Sequence, residues 1–270
     1  MRTATPHQQR IEDLTAAAFR DIDGAIQPQV HVAAACTYGE VEVGPFVQLL
    51  EDAVSAHRNH REERCPDEIG WERLTGGGHA PSRGEGRKGA SSGMFVDLGS
   101  GTGKAVFAAS LSGWFDSCLG IEILPELHDL AETALAMGLS HLTEEEEANM
   151  SSVRLLCGDL MTPSGVDLSR ASVVYVASTC FNPKIMTRIG HLAGQLPPGG
   201  VVLSLTRPVP FESAEIESQF EIASKRITFS WGPVDVFMHR RIDTEAALAG
   251  AAQVAAAAVA VALHGARDAD

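Results

Sequence analysis

The sequence predicts an α/β domain built on a doubly wound, mostly parallel sheet, with a small helical part at the N-terminus. Short apolar segments typical of buried strands alternate with segments of helical periodicity through the middle of the chain. The first predicted strand runs directly into a glycine-rich turn, and acidic residues follow the next two strands. Near the C-terminus, two segments of strand character flank Gly232-Pro233, which predicts an antiparallel edge.

Individual elements follow from local patterns. Helices are predicted where apolar residues recur three or four positions apart, and two of them begin at a proline, Pro45 and Pro125. Strands are predicted at short apolar runs. The predicted helices cover residues 9–22, 45–58, 104–112, 125–137 and 184–196, and the predicted strands cover 95–98, 117–123, 153–157, 171–177, 201–206, 226–231 and 235–241.

A glycine-rich turn joins the first predicted strand to a helix, within the segment FVDLGSGTGK at 95–104. Alternating glycines let the backbone turn tightly and let a ligand approach closely. The D-x-G-x-G-x-G spacing is the methyltransferase form rather than the dinucleotide form G-x-G-x-x-G, so we predict an S-adenosylmethionine site. The alternative is a glycine-rich turn without a ligand. The predicted contacts are Asp97, which would meet the amino-acid end of the cofactor, and Gly99, Ser100, Gly101, Thr102, Gly103 and Lys104.

Carboxylates end or follow the next two predicted strands. Glu122 lies about 20 residues beyond the glycine turn, where an acid is placed to accept hydrogen bonds from ribose hydroxyls. Asp159 follows the third strand, where it is placed to accept from the adenine amino group, with Leu160 packing on the ring. Taken alone, Asp159 is more often a turn residue.

We divide the chain into four segments. Residues 1–60 form an N-terminal helical segment with a cofactor loop, 61–93 a flexible insertion or linker poor in apolar residues, and 94–243 the cofactor-binding catalytic domain. Residues 244–270 form an alanine-rich tail. We predict a low-complexity helix there, with a membrane span as the alternative, because alanine contributes little apolar area.

The amino-acid composition indicates which kinds of binding partner the protein is expected to have. A formal net charge of −14 argues against strong direct nucleic-acid binding and favours a basic protein substrate. The five cysteines show no C-x-x-C pair or zinc spacing, so we predict reduced structural thiols and no metal site. The N-terminus has no apolar signal core, which predicts that the protein is not secreted. The acidic run Glu144 to Glu147 serves solubility or attracts a basic substrate.

Four segments of the chain occur in the same order and at a similar spacing in a known protein family. They are Thr37-Tyr38-Gly39-Glu40, the glycine segment 95–104, Ala177-Ser178-Thr179-Cys180-Phe181, and Ser230-Trp231 followed by Pro233-Val234 and His239. Over residues 37–243 the chain resembles the disruptor-of-telomeric-silencing (DOT) family, the non-SET lysine methyltransferases of the histone H3 core. The resemblance implies a Rossmann-like class I fold, S-adenosylmethionine as cofactor, a histone H3 or nucleosome substrate, and a nuclear chromatin regulator. Because no convincing basic import cluster is visible, a cytoplasmic location is the alternative.

The resemblance also implies roles for particular residues. Tyr38, Gly39 and Glu40 correspond to a loop that closes over the cofactor. Methyl transfer to an amine mainly requires alignment of nucleophile and donor, and a narrow apolar channel helps because desolvation lowers an ammonium pKa. The candidates for the catalytic channel are Ser178, Phe181, Trp231 and Phe237, with ordinary core packing as the alternative for the aromatic residues.

The sequence departs from the family pattern at three places. Ala177 and Ser178 stand where the family has asparagines, and Val236 and Phe237 stand where it has an aromatic pair with tyrosine hydroxyls. The family's long basic tail is missing. The alternatives are therefore a lysine methyltransferase for a non-histone protein and a catalytically weak cofactor-binding or scaffold protein.

Overall fold

The computed structural model describes residues 4–29, 41–59, 70–76, 93–162 and 166–243. Within these residues, one seven-stranded sheet is packed between helices. The helices are α1 (Pro6–Gln29), α2 (Val43–Arg58), α3 (Trp71–Thr75), α4 (Lys104–Ser112), α5 (Pro125–Leu139), α6 (Glu144–Asn149), α7 (Pro183–Ala193) and α8 (Ala214–Glu217). The strands are β1 (Met94–Leu98), β2 (Ser117–Glu122), β3 (Ser152–Cys157), β4 (Ala171–Val176), β5 (Val201–Leu205), β6 (Phe220–Phe229) and β7 (Gly232–Arg241).

The strand order β3-β2-β1-β4-β5-β7-β6 confirms the predicted fold class. The first five strands are parallel, and β7 pairs antiparallel with both β5 and β6. Strand β1 lies between β2 and β4, so the direction of winding reverses there. Ligands of open α/β sheets bind beyond the carboxyl ends of the strands at such a reversal. The fold therefore places the glycine turn after β1 at the position where a ligand is expected.

Apolar residues on the two faces of the sheet form two cores. On one face Phe46 of α2 packs its ring 5.0 Å from the ring of Tyr175 and 6.1 Å from that of Phe95. On the other face Val96 and Val174 belong to a core that includes residues of α7. Because side chains alternate along a strand, β1 and β4 supply both cores, and all their residues except Met94 are buried.

Helix α3 lies inside the segment 61–93 that the sequence predicts to be a linker. The structure differs from that prediction at 71–75, because two apolar side chains of α3, Trp71 and Leu74, are buried in the core. The Trp71 indole N–H also donates to Asp52 Oδ2 of α2 at 2.7 Å. Ordered packing therefore reaches into part of the predicted insertion, while 61–69 and 77–92 lie outside the described residues.

A buried ion pair fastens the β6–β7 hairpin to the helical layer. Arg240 of β7 donates from Nε to Glu221 Oε2 of β6 at 3.0 Å, and both side chains are less than a tenth exposed. Arg240 Nη1 also donates to the carbonyl of Ala56 in α2 at 3.1 Å. One guanidinium thus links both strands of the hairpin to a helix 184 positions earlier in the chain.

The alanine-rich segment 244–270, with its predicted helix, lies outside the described residues. Of the helices that the structure does describe, none combines the length and apolar character needed to cross a lipid bilayer.

Candidate active site

The glycine turn folds back against the end of β2. Gly99, Gly101 and Gly103 have φ values of 85°, 54° and 77°, a region that side chains disfavour. The amides of Gly99 and Ser100 both donate to the Ile121 carbonyl at 2.9 Å. Helix α4 then begins at Lys104, without a side-chain cap on its first amides. The Gly103 amide donates to the Ser100 carbonyl at 2.8 Å, so the turn is closed by its own backbone as well as by β2.

Phe181, which follows the neighbouring strand β4, lies over this turn. A Cβ built on Gly99 would lie 2.6 Å from Phe181 Cζ, which is closer than real side chains approach. Phe181 follows the short 3-10 turn Ser178–Cys180 at the end of β4. The structure therefore brings together two predicted parts of the site, although 82 positions separate them in the sequence.

Asp97 lies beneath the turn as a buried carboxyl group. It is 2% exposed, and its Oδ1 has no hydrogen-bond partner among the residues that the structure describes. Burial, and to a smaller degree the charge of Glu122, raise the pKa of Asp97 to about 8. A buried carboxyl in this state is neutral near pH 7 and is stabilised as a carboxylate when a cation is bound beside it.

Glu122 braces the turn from the end of β2. Its Oε2 accepts from the Gly101 amide at 2.8 Å, and its Oε1 accepts from the Leu124 amide at 3.0 Å. A carboxylate has about four lone-pair sites, so each oxygen keeps capacity for a further donor. The sequence predicts a ribose anchor here, and the structure adds a bracing role that the sequence analysis missed.

The loop after β3 holds Asp159 and Leu160. Asp159 is exposed and its Oδ1 accepts from the Met161 amide at 2.8 Å, so its side chain makes the turn contact that was the alternative interpretation. Leu160 is buried, and Arg188 of α7 donates from Nε to its carbonyl at 3.1 Å. Arg188 thereby fixes the loop, a role that the sequence did not reveal.

Two exposed apolar side chains beside these acids were also missed. Ile123 follows Glu122 directly and is 58% exposed, and Met161 follows Leu160 and is 44% exposed. Exposed apolar residues at the carboxyl edge of a sheet are suited to pack on a planar ligand ring. Their position directly after an acid-bearing strand end was the available sequence signal.

Ser178 does not present its hydroxyl to the turn. Its side chain is fully buried, and Oγ donates to the carbonyl of Leu205 at the end of β5. This bond assigns the side chain a structural contact in place of the direct catalytic contact that the resemblance implies. The reason is the neighbouring strand β5, whose end offers a buried carbonyl that needs a donor.

The remaining aromatic candidates lie apart from each other. Trp231 is 50% exposed at the tip of the β6–β7 hairpin, where its ring stacks on Phe229 with centroids 5.1 Å apart. Phe237 is half-buried in the middle of β7, opposite Ser204 of β5. The sequence predicts one channel lined by these rings and Phe181. Phe181 lies against the glycine turn at Gly99, whereas Trp231 lies at the tip of the hairpin and Phe237 at the middle of β7.

Trp231 lines an open cleft of about 320 Å³ beside the start of α4. The cleft is lined by Thr15, Ala16, Val41, Glu42, Val43, Lys104, Ser230 and Trp231. Glu42 Oε1 accepts from the Ser230 amide at 2.6 Å and so ties the start of α2 to the hairpin tip. Lys104 belongs both to this cleft and to the end of the glycine turn. Tyr38, Gly39 and Glu40, predicted to cover the cofactor, directly precede Val41 and lie outside the described residues.

His239 supports the fold rather than the site. It is fully buried in β7, and its Nε2 accepts from the Val209 amide at 3.2 Å. Burial lowers the pKa of His239 to about 4, so the imidazole is neutral at physiological pH. His239 therefore contributes to core packing in this chain.

Together, the strand order, the glycine turn after β1 and the acids at the ends of β2 and β3 define a class I, S-adenosylmethionine-dependent methyltransferase. Residues 89–228, just over half of the 270-residue chain, match the family model described as "Histone methylation protein DOT1". The chain therefore belongs to the DOT1 family.

Solved structures with related folds share little sequence with the chain. A "putative RNA methyltransferase", PH1948 from Pyrococcus horikoshii, is 15% identical with a TM-score of 0.48, and the match covers 90% of this chain and 98% of that one. The Bacillus subtilis M1A22 tRNA methyltransferase TrmK is 15% identical with a TM-score of 0.39, covering 58% and 63%. The ribosomal protein L11 methylase of Lactobacillus delbrueckii subsp. bulgaricus is 17% identical with a TM-score of 0.37, covering 57% and 73%. No curated protein sequence matches the chain significantly.

Proposed function

We propose that this protein is a protein-lysine N-methyltransferase that acts on a lysine in the core domain of histone H3. Membership of the DOT1 family supports the substrate. The observation that carries the proposal is the contact between Phe181 and Gly99, which joins the segment after β4 to the cofactor turn. The family also supports a nuclear location for the protein.

The residues at the turn fit S-adenosylmethionine. That cofactor carries an ammonium and a sulfonium group, and the buried carboxyl of Asp97, whose Oδ1 has no hydrogen-bond partner among the described residues, suits a cation. Glu122 retains lone pairs for ribose hydroxyls, and the apolar side chains of Ile123, Leu160 and Met161 suit the adenine ring. When bound, the cofactor supplies an electrophilic methyl group.

The protein's own residues then have two tasks. The first is to align the acceptor amine with the methyl group, and we assign it to Phe181, whose ring lies against the glycine turn. Desolvation is the second, because an apolar wall lowers the pKa of a lysine ammonium and so favours the neutral, nucleophilic amine. We assign the entrance to Trp231, whose exposed ring suits a cationic side chain. Phe237 stays a predicted wall residue.

The charge of the protein suits a basic partner. The formal net charge is −14, and helix α6 presents exposed glutamates at its start. One of them, Glu146, is engaged with Arg10 of α1 at 2.8 Å, so its neighbours Glu144, Glu145 and Glu147 are the better candidates for contact with a basic protein.

Incubation with labelled S-adenosylmethionine tests the proposal. The protein is mixed with nucleosomes, free histone H3 or whole-cell extract, and Asp97→Ala serves as the inactive control. Label on histone H3 supports the proposal. Label on a different protein alone would replace histone H3 with a non-histone substrate. Cofactor binding without any labelled protein would indicate the catalytically weak alternative.

Cofactor binding is expected to release a proton from Asp97 near pH 7. In the free protein the pKa of Asp97 is about 8, so most molecules are protonated at pH 7, and a bound cation favours the carboxylate. Affinity should therefore rise as the pH increases toward 8. Titration calorimetry in buffers of different ionisation enthalpy measures the released proton. Asp97→Asn, which cannot ionise, should lack this release, and equal release from both proteins would contradict the assignment.

The raised pKa of Asp97 also determines how the stability of the fold changes with pH. The folded pKa of Asp97 lies above the ordinary value of 3.8, so between these pH values the folded state binds more protons than the unfolded state. The contribution of Asp97 to stability is therefore full below pH 3.8 and is lost as the pH rises to about 8. Without cofactor, the free energy of unfolding should change less between pH 3.8 and about 8 in Asp97→Asn than in the wild type.

A further inference from the structure

Thr206 has an unusual backbone conformation at the end of β5. Its φ is 72°, and it is the one residue other than glycine with a positive φ in the described part of the chain. A β-branched residue is a true outlier there, and such a conformation persists only where surrounding contacts impose it. The Thr206 amide donates to the Asp235 carbonyl of β7 at 2.7 Å, and the Arg207 amide donates to the Leu205 carbonyl at 2.8 Å.

The turn at 204–207 contacts the segment after β4 in three places. Thr206 Oγ1 lies 3.2 Å from Thr179 Oγ1, at hydrogen-bond distance. Arg207 Nη2 donates to the Thr179 carbonyl at 3.5 Å, and the buried Ser178 hydroxyl donates to the Leu205 carbonyl. All three contacts fall on the 3-10 turn Ser178–Cys180, which leads directly into Phe181.

These contacts fix the position of Phe181. Because its ring lies against Gly99, a small displacement of the 3-10 turn changes the gap between that ring and the glycine turn. Ser204 Oγ adds a second restraint, since it donates to the Arg207 carbonyl at 2.9 Å and closes the turn. The side chains that form this support come from β5 and the residues just after it, and none of them belongs to the glycine turn.

We propose that Thr206 is a positioning residue, whose hydroxyl and strained backbone hold Phe181 against the glycine turn. Its effect on catalysis rests on the proposed methyltransferase function. Thr206 acts through Thr179, and it lies outside the glycine turn where we place the cofactor. It therefore affects the methyl-transfer rate and leaves the cofactor affinity unchanged.

The first test separates rate from binding. Thr206→Val keeps the branched shape and removes the hydroxyl, and it should lower kcat by about tenfold, the size expected when one ordering hydrogen bond is lost. The dissociation constant for S-adenosylmethionine and the melting temperature should match the wild type. Thr206→Ser keeps the hydroxyl and should restore kcat to within about twofold. Thr133→Val removes a helical threonine hydroxyl on α5 and is the matched control.

A second test does not depend on activity. Fluorine NMR of protein labelled with fluorophenylalanine reports the environment of Phe181, and Phe181→Leu assigns its resonance. Thr206→Val should shift or broaden this resonance, whereas Thr206→Ser and Thr133→Val should not. An unchanged Phe181 resonance or an unchanged kcat in Thr206→Val would overturn the inference. A wild type that methylates no protein, together with a shifted resonance in Thr206→Val, would retain the positioning role and reject the proposed function.

Discussion

Replacement of Gly101 by arginine is expected to weaken S-adenosylmethionine binding by about 100-fold or more. Gly101 has a φ of 54°, and its amide is held by Glu122 Oε2 at 2.8 Å. A residue with a side chain is strained in this conformation, and a long cationic chain would enter the site that we propose for the positively charged end of the cofactor. Titration calorimetry measures the affinity, and circular dichroism confirms that the variant is folded.

Gly113 provides a matched control for this variant. It caps the other end of α4 with a φ of 65°, so Gly113→Arg imposes a similar backbone strain away from the turn. We expect Gly113→Arg to lose about 1–2 kcal/mol of stability and to keep its cofactor affinity. If both variants bind the cofactor equally well, the glycine turn is not the cofactor site.

Replacement of Arg240 by methionine is expected to lower the free energy of unfolding by about 3–5 kcal/mol. The variant removes the buried ion pair with Glu221, which is 6% exposed, and it also removes the donor to the Ala56 carbonyl. Urea unfolding followed by circular dichroism measures the loss. The double variant Arg240→Met with Glu221→Leu should recover much of it, because the carboxylate that paired with Arg240 is replaced by an apolar side chain.

An exposed ion pair on the same hairpin serves as the comparison. Arg226 pairs with Asp235 through two hydrogen bonds of 2.8 and 2.7 Å, and both side chains are largely exposed. Solvent screens such a pair, so Arg226→Met should unfold at nearly the wild-type urea concentration. An equal decrease in the free energy of unfolding in Arg226→Met and Arg240→Met would show that burial does not decide how much each ion pair stabilises the fold.

Local patterns were sufficient to predict the parallel sheet and the glycine turn. Both depend on residues that are neighbours in sequence, such as the apolar run of β1 and the glycines that follow it. The hairpin was predicted too short. Strand β6 begins at Phe220 rather than at Arg226, because Glu221 looks like a surface residue until Arg240 is placed beside it.

The acceptor side of the site was harder to predict because its contacts are distant in sequence. Ser178 was assigned a catalytic role from its place in the family pattern, and nothing local reveals that Leu205 takes its hydroxyl. Thr206 carries no signal either, since threonine has no preference for a positive φ. These features arise from the pairing of β4, β5 and β7, which decides the chain direction at each strand end.

The two outer strands of the sheet also bear on how copies of this protein meet. Strands β3 and β6 lie at the two ends of the strand order, and no strand among the described residues pairs with their outer sides. Each carries exposed positive side chains, Arg154 on β3 and Lys225 and Arg226 on β6. Long charged side chains on an edge strand hinder its pairing with another chain, so edge-to-edge aggregation is disfavoured at both borders.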